Sequence, residues 1–599
     1  MKGLTRLGFV AVMALIGALG FSAVPASASH VQCGDTITQD TTLDSDLIDC
    51  PGDGLVIASD GVALDLGAHT IDGTRAGEGV DNGGGFDGLR VFDGKVKEFE
   101  RGVLAAHAAH ISVRRLEVTA NGSTGIELDH TTDSLVKDSA ATGSGRYGVQ
   151  LEAGVHNRLV GVTASDNGLY GMRLFSNCDR NTISRSIADR NSSDGISVDR
   201  CTKTFVRRNH VADNSGLQQI DVEHATETFV LENHVAADPA GISNGIVILG
   251  ADNVVSDNTI RAGSRSAGIA VSIGDGNQVS SNDILIAGRG IDIGSDRNTV
   301  RGNKIANSTI TGIELFESSL NVLSRNAITS GAGIGIFLRS GLFDEGSQGN
   351  QIKRNLIESN SYGIVLQGPA HDTVIADNIA DDNRGDGILV DDRSDRVRID
   401  RNSVARNQYG IHVHLGPGSR VHSNRVTASA NTGISITSLT DGSIVGNVAL
   451  GNSYGILCFG CSRDRIANNT ASNNTLLGGS FNDSSNSVIE HFVAEHNGLE
   501  GIDLNRSTDN VLRESRALDN GADGILVRGP GPYLIERNEA HRNADDGIDV
   551  ETSSSTLTGN TANENTSLGI EAVQGVTDGG GNRAAQNGNP AQCLNVFCK

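Results

Sequence analysis

Carboxylates that recur two residues apart, and again about 23 residues further on, hold most of the chemistry this chain can offer. Glu127 and Asp129 are followed by Glu152, then Asp199, then Asp221 and Glu223, with Arg173 and Phe175 between them. His130, Arg200 and His224 each come directly after one of these acids. In an extended chain, residues two apart share a face. Stacked segments would therefore build two columns of acids on one surface. Carboxylates about 5 Å apart either raise one another's proton affinity or recruit a cation such as Ca²⁺. A protonated acid beside an ionised one is also the pair that cleaves sugars, in retaining or inverting geometry. Arg173 can hold a uronate carboxylate, and Phe175 can lie against a sugar ring. The catalytic candidates are Asp199, Asp221 and Glu223; the ligand-binding candidates are Glu127, Asp129, Glu152, Arg173, Phe175, Arg200 and His224. The same acids also read as the solvated face of an acidic protein.

A second group is His412-Val413-His414, with Asp391 and Asp392 about one period earlier. Alternation turns both imidazoles outward. Two histidines and a carboxylate with an open position suit Zn²⁺ or Cu²⁺.

The element that must position these residues is a short phrase, Gly-Ile-x-Val. Its glycine falls at Gly102, Gly125, Gly148, Gly171 and Gly195, resumes at Gly245, and runs on through Gly455, Gly479, Gly501 and Gly569, with Gln219 in its place once. A fixed short period decides the architecture before any motif does. Apolar residues alternate over three to five positions, as in Asn321-Val322-Leu323 and Asn326-Ala327-Ile328, which is a strand pattern. Three short strands per repeat predict an all-β, single-stranded, right-handed parallel β-helix of about 21 to 23 coils, on the order of 100 Å long. An asparagine column from Asn209 to Asn469 is expected to form a ladder, each Asn taking the left-handed backbone of a bend.

The boundaries follow. Residues 1–28 read as a signal peptide ending at Ala28, 29–60 as an N-terminal cap, 61–577 as the solenoid and 578–599 as a C-terminal cap. Loss of Lys2 and Arg6 leaves 46 basic against 72 acidic residues, a formal charge of −26. That balance disfavours nucleic acid and anionic membrane as partners, and no later apolar run is long enough to span a bilayer. Eight cysteines fit an exported chain. Cys33 with Cys50, Cys178 with Cys201, and Cys593 with Cys598 are expected disulfides; Cys458 and Cys461 are either a buried thiol pair or a tight bridge.

These rungs, with Asn298-Thr299-Val300-Arg301-Gly302-Asn303 and the opening Gly61-Val62-Ala63-Leu64-Asp65-Leu66, resemble the secreted bacterial right-handed parallel β-helix proteins. That group, with its pectin-lyase-like fold, includes carbohydrate-binding proteins, sugar hydrolases and the periplasmic NosD-type proteins. The resemblance covers nearly the whole mature chain. It implies a monomer, secreted, periplasmic or held at the cell surface, that binds extracellular, acidic polysaccharide. It also admits a lyase, hydrolase or uronan epimerase, a non-catalytic rod, or a metal-binding accessory protein. Asp238-Pro239-Ala240 departs from the Asp-Pro-His motif of alginate epimerases at Ala240. Polygalacturonase-type Asn-Thr-Asp and Gly-His-Gly segments are absent.

Overall fold

The computed structural model describes residues 30–341 and 346–599; the expected leader lies outside them. Each turn contains three short strands. Gln218–Glu223, Phe229–Leu231 and His234–Ala236 form one turn, and Asn244–Leu249, Val254–Ser256 and Thr259–Arg261 the next. Equivalent strands pair in parallel and in register, setting Ile220 on Ile246, Val230 on Val255 and Val235 on Ile260. The result is the expected parallel β-helix, with about 24 turns rather than 21 to 23. The extra length lies at the ends. Asp35–Ile37 already pairs with Leu55–Ile57, and Arg583–Ala585 pairs with Thr561–Asn563.

The inward column is closed to water. Ile126, Val149, Met172, Ile196, Ile220 and Ile246 have no exposed surface. Burial of each contributes roughly 1.5–3 kcal/mol. The repeat glycine is kept by close packing: a Cβ on Gly148 would stand 2.7 Å from the Asn167 amide nitrogen. Register also corrects one repeat. Ile456 pairs with Gly479, so the repeat glycine of that turn is Gly478.

The asparagine ladder forms. The Asn402 backbone N–H and Nδ2 both donate to Asn424 Oδ1 at 2.9 Å, and Nδ2 also donates to the Ile375 carbonyl at 2.9 Å. Two more columns flank it, through Asn298, Asn321 and Asn350 and through Asn497, Asn520 and Asn543. The ladder asparagines from Asn209 to Asn469 do not themselves take the left-handed backbone. The residue before each of them turns the corner instead, as at Arg208 (φ 56°), Asp377 (φ 57°) and Arg401 (φ 52°). The corner side chain points to solvent, whereas the amide that follows is committed to bonds inside.

All four cysteine pairs are closed. Cα separations are 5.3 Å for Cys33–Cys50, 4.5 Å for Cys178–Cys201, 6.0 Å for Cys458–Cys461 and 6.2 Å for Cys593–Cys598. Four disulfides suit an extracytoplasmic, oxidising compartment.

Gln219 explains its own exception to the repeat. The following turn leaves the rod at residues 237–243 and brings no asparagine to the ladder. Gln219 Oε1 takes that place, accepting from the Asn214 backbone N–H at 3.2 Å and from its Nδ2 at 2.9 Å. Gln219→Gly restores the repeat yet strands both donors. It should destabilise the protein by about 1–3 kcal/mol, read as a lower thermal unfolding midpoint; a higher midpoint would contradict the cap.

Candidate active site

The Gly-Ile-x-Val strands stack into one face whose outward rows run along the rod. One row carries Glu127, Gln150, Arg173, Ser197, Asp221 and Val247, each paired in register with the next. The second row carries Asp129 beside Glu152, then Glu152 beside Phe175, and later Asp199 beside Glu223 and Glu223 beside Leu249. The columns read from the sequence are therefore real surfaces.

Their members divide by environment. Glu127 lies 3.5 Å from Arg101, and burial pushes its carboxyl up. Asp129 is bonded to His130 Nδ1 at 2.6 Å, and Glu152 accepts from Ser176 Oγ at 3.4 Å. These acids have partners. Further along the rod the balance changes. Asp221 is only 8% exposed, and its Oδ1 has no hydrogen-bond partner among the described residues. Burial pushes its carboxyl up to about 7, with the charges of Asp194, Glu223 and Asp199 adding to the shift. Asp194 is 5% exposed and pushed by burial to about 6, although it accepts the Gln218 N–H at 3.2 Å. His224 Nδ1 lies 3.5 Å from both Asp199 and Glu223, and Arg200 reaches Asp199 at 3.8 Å.

One side of this acid cluster is aromatic and cationic. The Arg173 guanidinium lies over Tyr147, Tyr170 and Phe175, with its carbon 5.7, 5.1 and 4.6 Å from the ring centroids. Its Nη1 donates to the Tyr147 hydroxyl at 3.0 Å. The other side is apolar. Val247, Ala267 and Ala270 pack together on the outside of the rod against Leu249. The acids thus occupy a gap between an aromatic–arginine shelf and an aliphatic one. Sequence reasoning misses Asp194, Tyr147 and Tyr170 as site residues; all stand immediately before the repeat position. Asp194 stands where the neighbouring turns carry the uncharged Thr124, Tyr147, Tyr170, Gln218 and Asn244, and that is the available signal.

The donor atoms of Asp199, Glu223 and His224 lie within 4.8 Å of one another, as do those of His107, Asp129 and His130. Either group is compact enough for one cation. A third such group, Asp523, Asp545 and Asp546, sits near the far end of the rod, where the Asp546 N–H and carboxylate are bonded to Asp523 and to the Leu568 N–H. A register shift between Val390 and Ser394 disturbs the pairing with the next strand, and His412 Nδ1 is bonded to Asp386 at 3.1 Å. His414 stands edge-on to His412, ring centroids 5.8 Å apart. A wide concavity of about 1110 Å³ lies on another face, where its charges are matched by the Lys95–Glu117 and Arg115–Asp93 pairs.

The sequence model described as the right handed beta helix region matches residues 95–243, 244–404 and 454–591, more than half of the chain. The chain belongs to this right-handed β-helix family. The model described as periplasmic copper-binding protein (NosD) matches residues 339–477. The search of curated proteins gives no match. Solved structures similar to the chain include the Azotobacter vinelandii mannuronan C-5 epimerase AlgE4 A-module, at 15% identity and TM-score 0.30, over 53% of this chain and 91% of that one. A mutant of the periplasmic alginate epimerase AlgG gives 13% identity and TM-score 0.32, over 57% of this chain and 78% of that one. The catalytic unit of a GH87 α-1,3-glucanase from Streptomyces thermodiastaticus gives 14% and 0.27, over 55% and 62%.

Burial holds a proton on folded Asp221 that the unfolded chain, with its ordinary value of 3.8, releases. Stability should therefore fall as pH rises between about 4 and 7. Asp221→Asn should leave the melting midpoint unchanged near pH 4 and raise it by about 1–3 °C at pH 8. Parallel pH profiles for parent and variant in thermal melts would contradict a buried, protonated Asp221.

Proposed function

We propose that this exported, monomeric β-helix binds extracellular polysaccharide along the outer Gly-Ile-x-Val face and hydrolyses it at the Asp221 cluster. The observation that carries the reading is Asp221 itself: a carboxyl more than nine-tenths buried, with an unbonded oxygen and acids on neighbouring turns. A carboxyl that keeps its proton near neutral pH is a general acid. Asp221 gives its proton to the glycosidic oxygen as the bond from the anomeric carbon to that oxygen breaks. Asp199 or Glu223, near His224, takes the proton of the water whose oxygen bonds to the anomeric carbon. The aromatic–arginine shelf and the aliphatic shelf give sugar rings apolar contact on either side of the acids.

The test is mass spectrometry of a polysaccharide panel, including alginate and pectin, incubated with the protein in deuterated water. Shortened chains carrying added water are expected, and Asp221→Asn should form them about 100-fold more slowly or less. Unsaturated ends would mean a lyase, and deuterium at C5 without shortening an epimerase. An unchanged panel would leave a non-catalytic rod.

The NosD-type match supports a second reading, a metal-binding accessory role, because it spans Asp386, Asp391, His412 and His414. Imidazole and carboxylate donors suit Cu²⁺ or Zn²⁺. Calorimetric titration of either ion should lose a binding event in a His412→Ala, His414→Ala variant; equal uptake by parent and variant ends this reading.

A further inference from the structure

Along the corners of the rod, arginines are interleaved with acids. Arg190 is held by Asp166, Arg208 by Glu232, Arg401 by Asp377, Arg406 by Asp382, Arg463 by Asp441 and Arg542 by Asp519, each with Nε and Nη2 on two carboxylate oxygens one turn away. Stacking like on like would place equal charges about 5 Å apart, and alternation of sign removes that repulsion.

Like charges do meet at some corners, as at Arg185 and Arg208, and one such place gathers further cations around it. In the corner column Gly302, Arg325, Arg354, Asp377, Arg401, two arginines occupy consecutive turns, both with left-handed backbone (φ 56° and 57°) and both exposed. Asp377, the next acid, is already bonded twice to Arg401. Beside this column Arg301 and Lys353 stand two turns apart in one register row, with Ser324 between them. Lys304 follows around the bend. Among the described residues, none of Arg301, Lys304, Arg325, Lys353 and Arg354 forms an ion pair. No Asp or Glu occurs in residues 299–306, 322–329 or 351–357. Arg301, Arg325, Lys353 and Arg354, with Ser324 and the Asp377–Arg401 pair, line a shallow concavity of about 400 Å³.

Five cations outside any ion pair, against Asp377 as the acid that Arg354 and Lys353 act on, leave this corner with an excess of positive charge on a chain of formal charge −24. We infer that this corner binds an acidic polysaccharide as a second site, away from the acid cluster. It rests on the reading above only in taking the ligand to be a glycan, and it makes the substrate class acidic. Several observations select this ligand. The cations run along the axis over three turns, which suits a linear polyanion. The lining of the concavity has no aromatic side chain to stack on nucleic-acid bases and no apolar side chain to enter a membrane. At physiological salt, screening over about 8 Å lets the corner act apart from the net negative charge.

The experiment is calorimetric titration of the full chain with alginate oligomers, against neutral dextran oligomers and a single-stranded DNA oligomer, at low and at about 0.15 M salt. Alginate should bind, more weakly at higher salt, and dextran and DNA should not bind detectably. Arg325→Asp restores sign alternation with Arg354, so it should fold and weaken alginate binding by about tenfold or more. Arg325→Ser, a residue this corner already carries at Ser281 (φ 55°), should give a smaller loss. Weaker alginate binding by Arg325→Asp beside an unchanged product panel separates this inference from the proposed hydrolysis. Undiminished affinity in Arg325→Asp, or DNA or dextran binding as tightly as alginate, overturns it.

Discussion

The structure depends on one constraint: the strands of each turn bond to the turn above or below in parallel register, shifted only at bulges such as Val390–Ser394. Parallel strands keep equal residues opposite one another, so whatever sits at one repeat position meets its counterpart about 5 Å away. Isoleucine on isoleucine gives a dry core. Asparagine on asparagine gives a ladder in which a single Oδ1 accepts from both a backbone N–H and an amide of its neighbour. Cysteine on cysteine gives the Cys178–Cys201 bridge.

The same constraint makes charge placement a strong choice. A column of acids is costly, and several corners avoid it by setting an arginine one turn from an acid. On the Gly-Ile-x-Val face the chain does the opposite. It stacks Asp199 on Glu223 and buries Asp221 and Asp194 nearby, without a cation to neutralise the buried oxygen of Asp221. Raised proton affinity follows from that arrangement, with desolvation the larger cause and neighbouring charge the smaller. Such departures from local consistency belong to functional positions more often than to structural ones.

Much of this is legible in the sequence because the period is short and the alternation strict. The fold, the outward columns and the disulfide pairs follow from counting residues. Three things are not legible, for physical reasons. Which of the stacked acids stays unpartnered depends on side chains from other turns: Arg101 reaches Glu127, and nothing reaches Asp221 Oδ1. Residue preference assigns the left-handed position of each corner to asparagine, which tolerates it best, whereas hydrogen bonding inside fixes the amide and passes the strain to the preceding Arg or Asp. Spacing alone shows neither the His412–Asp386 bond nor the register shift after Val390.

The central claim is that Asp221 holds its proton in the folded protein near neutral pH. Infrared difference spectra between the parent and Asp221→Asn, recorded across a pH series, test it directly through the carbonyl band of a protonated carboxylic acid. The account predicts a band specific to Asp221 that persists at pH 6 and disappears with a midpoint at about 7. A band lost near the ordinary aspartate value of 3.8 would contradict it.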